Sequence, residues 1–85
     1  MVTELIRKAY SGSAREAGVP VGLARIRAAI AGIDRAEIDA ALLQLSTDPA
    51  VDIFPESNQK TLTAEDRAAA VRIGNQDKHL ISIRS

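Results

Sequence analysis

The chain has 85 residues, no cysteine, and lysine plus arginine equal to aspartate plus glutamate at 11 each, which excludes disulfides and cysteine-held metals and leaves a weak long-range field. Hydrophobic residues at 46% and charged residues at 26% mark an ordinary globular composition with room for one core. No apolar run approaches the roughly 18–20 residues of a membrane span and no basic-then-apolar leader opens the chain, so the expectation is a cytoplasmic protein, or one domain of a longer one.

The first segment reads as a helix. Val2, Leu5, Ile6, Ala9, Tyr10 and Ala14 share one face, with Glu4, Arg7, Lys8 and Ser11 opposite. Thr3 is the expected N-cap and Gly18 the stop, while Gly12 weakens the stretch between. Val19-Pro20-Val21 is extended because proline fixes its own φ and restricts its predecessor. A short strand is therefore expected near 19–21. A second helix runs from Leu23 to Ile30 with Leu23, Ile26 and Ile30 on one face, and Gly32 ends it.

The third helix carries the sharpest local pattern. Asp34 with Glu37 predicts a capping box, and Ile33 with Ile38 predicts a hydrophobic staple. Ile38, Ala41, Leu42 and Leu45 form the expected buried stripe, which ends near Thr47 before Asp48-Pro49. The short glycine-containing connection between the second and third helices has the form of a helix-turn-helix.

Strands are then expected near 51–54, 70–73 and 78–83, with Ser57 to Lys60 as a polar loop tip and Gly74 to Asp77 as a turn. Between them Thr63 caps a brief helix with acids in its first turn. Three amphipathic helices leave one end of their shared core open, and a hairpin laid there closes it.

This order of elements resembles the winged-helix superfamily. The resemblance covers Thr3 to Arg84 and rests on Val19-Pro20-Val21, Gly32-Ile33-Asp34 and the strand region from Val51 to Ile83. The fold it implies is α+β: a three-helix winged helix-turn-helix with a small antiparallel sheet, forming one domain over 1–85. It departs from the simplest pattern where Leu62 to Ala70 inserts a short helix into the wing. The resemblance implies that the third helix enters the DNA major groove. On that reading Arg25, Arg27, Lys60 and Arg72 contact phosphates, while Arg35 and Gln44 approach bases.

Stepping about 100° per residue from Ile38 puts Ala36, Ala40, Leu43 and Thr47 outward, with Asp39 and Gln44 at the edges. Arg35 is the only cation on this helix. A stripe of small and apolar residues at Ala36, Ala40 and Leu43 points instead to a protein partner. The expected function is a non-enzymatic DNA-binding or DNA-targeting module, with a protein-interaction module using the exposed face of the third helix as the alternative. A homodimer through the first helix or the final strand edge is a further expected arrangement.

Enzyme chemistry has little to work with. His79 is the single histidine and falls in a predicted strand, Glu65, Asp66 and Asp77 are too few for a metal site, and no phosphate-cradling glycine loop occurs. No catalytic residue, metal or cofactor is expected.

Overall fold

The computed structural model describes residues 1–84. Its elements in order are α1 (Val2–Ser13), β1 (Val21–Gly22), α2 (Leu23–Ala29), α3 (Arg35–Leu45) and β2 (Val51–Phe54). A 3₁₀ turn (Gln59–Thr61), α4 (Ala64–Ala69), β3 (Val71–Ile73), β4 (Gln76–Lys78) and β5 (Leu80–Ile83) follow. The architecture is α+β and winged-helix-like: a helical layer closed by a three-stranded antiparallel sheet in the order β1-β5-β2, with β3–β4 as a separate hairpin. No helix among the described residues is long and apolar enough to cross a membrane.

The buried faces follow the helical period. Ile6 and Tyr10 from α1, Leu23 and Ile26 from α2, and Ile38, Ala41, Leu42 and Leu45 from α3 meet Val51, Ile81 and Ile83 of the sheet. Ile33 and Ile30 pack against this cluster from the inter-helix connection, which holds α2 and α3 at their junction. Leu5 departs from the predicted face and is exposed at the surface of α1.

Helix ends differ from the sequence expectation at several points. Thr3 lies inside α1, whose N-cap is Met1, and the helix stops at Ser13, one residue beyond Gly12. Gly18 instead serves the turn into β1: its φ is +89°, and its N–H donates to the Ile83 carbonyl at 2.8 Å. Asp34 occupies the N-cap of α3, but its side chain makes no capping bond, and the Glu37 and Ile38 amides reach its backbone carbonyl. The capping box sits on α4, where Thr63 Oγ1 accepts from the Asp66 amide at 3.0 Å and Asp66 Oδ2 accepts from the Thr63 amide at 3.1 Å. α3 ends at Leu45, two residues short of Thr47, because the Ser46 and Thr47 hydroxyls bond the carbonyls three residues back.

The strands also shift. Val19 and Pro20 fall outside β1, since the Val19 carbonyl is taken by the Tyr10 hydroxyl at 2.6 Å and Pro20 has no N–H to offer. Ala70 caps α4 and does not join β3. The single strand expected over 78–83 is two strands in two sheets, divided at His79. His79 breaks the ladder because its own N–H donates to Phe54 O and its carbonyl accepts from Leu23 N. β4 pairs with β3 through a two-residue turn at Gly74 and Asn75, both with φ near +60° as a type I′ hairpin requires. β5 pairs on both sides, with Val21↔Ile81 and Ile53↔Ile81 in register. The final strand is therefore the central strand of the three-stranded sheet.

Candidate functional site

Burying Ile38, Ala41, Leu42 and Leu45 leaves the outward face of α3 to Ala36, Ala40 and Leu43, with Thr47 just beyond the helix end, all exposed. Leu43 is 55% exposed, the most exposed large apolar side chain after Met1 among the described residues. One edge of this face carries Glu37 and Gln44, both exposed, and Glu37 has no ion-pair partner among the described residues. The other edge carries Asp39 and Arg35.

That second edge is internally neutralised. Arg27 reaches from α2 to give Nη2–H to Asp39 Oδ1 at 2.6 Å and Nε–H to the Ala69 carbonyl at 2.7 Å. Its side chain is only 13% exposed, and its Nη1 is buried with no partner. Arg35 donates to the Ala70 carbonyl at 3.1 Å and lies 3.9 Å from Asp39 Oδ2. Two arginines thus take up carbonyls at the C-terminus of α4, where helix carbonyls lack intrahelical partners. The arrangement ties α2, α3 and α4 together around one carboxylate.

The remaining cations scatter. Arg25 is exposed on α2 without an ion-pair partner among the described residues, and Lys60 is exposed in the 3₁₀ turn. Arg72 lies on the hairpin, bonded to Asp77 Oδ1 and to the Asn75 carbonyl, each at 3.2 Å. Gln44 borders a shallow cleft with Arg7 and Asp48. There the Ala50 amide and the Arg7 guanidinium, at 2.9 and 2.8 Å, hold the Asp48 carboxyl below the usual carboxylate range. Of the six residues assigned to DNA, the structure brings Arg27 and Arg35 together on Asp39; Lys60 and Arg72 stand on other elements.

Sequence reasoning did not find the Arg27–Asp39–Ala69 network. Arg27 and Ala69 are 42 positions apart, so no local spacing could signal their contact. No group of three or more His, Asp or Glu side chains is gathered to hold a metal among the described residues. His79 is buried at 8% exposure, and its Nδ1 accepts the Glu56 amide at 3.1 Å. No protein-family model, curated protein or solved structure matches this chain.

Proposed function

We propose that this domain is a non-enzymatic, cytoplasmic protein-interaction module that receives a basic amphipathic helix of another protein on the outward face of α3. The observation that carries the reading is Leu43, 55% exposed on the face of α3 that the core leaves free, beside Ala36 and Ala40. Alanines let a second backbone approach closely, and Leu43 supplies the apolar anchor. The chemistry of the partner follows from the rim: Glu37 carries an unpaired negative charge there, whereas Arg35 is already bonded to Ala70 and faces Asp39. A partner helix with an apolar stripe flanked by lysine or arginine complements this surface, and a phosphate backbone does not.

DNA binding is the second reading, favoured by the winged-helix-like order and by the unpaired Arg25 and the exposed Lys60. The two readings separate by mutation. Leu43→Asp is expected to abolish binding of a lysine-flanked, leucine- and alanine-striped helical peptide, with thermal stability unchanged within about 0.5 kcal/mol because the side chain is exposed. Arg25→Ala with Lys60→Ala leaves that binding intact. If the domain instead binds duplex DNA, the double change lowers the slope of log affinity against log salt by about two and Leu43→Asp has little effect. Fluorescence anisotropy across a salt series reads both outcomes.

A further inference from the structure

A polar cleft of about 440 Å³ lies where the hairpin, the α4 insertion and the end of β2 meet, lined by Pro55, Gln59, Arg67, Gln76, Asp77 and His79. Its volume falls in the lower part of the range of about 300–1,000 Å³ typical of small-molecule sites. The α3 surface has no part in it.

The hydrogen-bond inventory of this cleft shows which groups are spent. A backbone N–H can only donate, so the bond from Glu56 N to His79 Nδ1 leaves the ring proton of neutral His79 on Nε2. No group among the described residues accepts that proton, and Nε2 is not one of the enclosed, unsatisfied atoms, so it meets solvent while the residue as a whole is more than nine-tenths buried. The ring is held in place, because the His79 backbone is bonded to Phe54 at 3.0 Å and to Leu23 at 2.9 Å. Gln76 Oε1 accepts from Lys78 Nζ at 2.8 Å, which leaves its NH₂ group as the free end. Arg67 gives one proton to the Gln59 carbonyl at 2.9 Å and retains the others. Asp77 is paired with Arg72 at 3.2 Å, which offsets its charge.

We propose that this cleft binds a small carboxylate ligand, held by His79 Nε2–H, the Arg67 guanidinium and the Gln76 side-chain amide. Three kinds of donor line one polar recess, and Arg67 is the cation there without an acidic partner. A single negative charge with two acceptor oxygens matches that set, and a planar guanidinium suits a carboxylate. A dianionic phosphate places a second negative charge beside Asp77 and is disfavoured.

The chain's single histidine makes the test direct, since one imidazole signal reports the cleft. Long-range proton–nitrogen spectra of the intact chain are recorded during titration with sodium acetate, a monoanion, with sodium chloride and inorganic phosphate at matched pH and ionic strength as separate arms. Acetate is expected to shift the His79 Nε2 signal saturably, with Kd on the order of 1 mM. Arg67→Ala, an exposed position, is expected to weaken acetate at least about tenfold while the dispersed amide spectrum is kept. An equal shift with chloride, an unchanged titration of the Arg67→Ala chain, or tighter saturation by phosphate would overturn the proposal.

Discussion

Ile81→Ala is expected to destabilise the domain by about 2–5 kcal/mol, the range for removing buried methyl and methylene groups where the surroundings collapse only partly. Ile81 is fully buried on the central strand, with Val21 on one side and Ile53 on the other. Both neighbours belong to short strands whose pairing runs through β5, so a cavity there lies between the helical layer and both halves of the sheet. A chain of this length has roughly 4–13 kcal/mol of total stability, and a loss of this size removes a large share of it. Urea unfolding should show a lower midpoint with an unchanged slope. Ile73→Ala, at a part-buried position in the separate hairpin, should cost well under half as much. Ile73 packs at the rim of the same core that holds Val71 and Ile81, so equal losses at the two positions would mean that the rim is held as tightly as the centre.

Arg27→Met is expected to cost roughly 1.5–3 kcal/mol, the range for hydrogen bonds to charged groups. Methionine retains most of the apolar stem and removes the guanidinium, so packing between α2 and α4 survives while the Ala69 carbonyl and Asp39 Oδ1 lose their donor. Asp39 is part-exposed and can turn to water. The Ala69 carbonyl closes a six-residue helix that has little stability of its own. The effect should therefore be local as well as global: hydrogen exchange in α4 should accelerate, while Ile6, Leu42 and Ile81 keep their protection. Unchanged protection in α4 would show that α4 is held by apolar contact alone. The orphaned Arg27 Nη1 tempers the loss, because the substitution also removes one unsatisfied buried donor.

These contrasts show where local pattern was sufficient. The stripe Ile38, Ala41, Leu42 and Leu45 is buried as its spacing predicts, because the period of a helix fixes its inward face whatever it packs against. The outward face with Ala36, Ala40 and Leu43 was legible for the same reason. Strand boundaries were less so: His79 divides two strands only because Leu23 and Phe54 bond its backbone from distant parts of the chain. Caps were legible as candidates but not as choices. Asp34 and Thr63 both carry the residue pattern of a box, and only Thr63 forms one. The charge network was hidden altogether, since Arg27 meets groups on α3 and α4 that come together only in the folded chain, and the pairing removes it from the solvent-facing surface.

The proposed interface requires α3 to offer its outer side to another protein. The most direct measurement is amide chemical-shift mapping of the nitrogen-15-labelled chain during addition of a lysine-flanked amphipathic helical peptide, repeated with duplex DNA. The expected result is a set of peptide-induced shifts centred on Ala36, Ala40, Leu43 and Gln44, with DNA producing none there. Peptide addition that leaves α3 unperturbed, together with DNA-induced shifts running from Arg25 to Lys60, would contradict it.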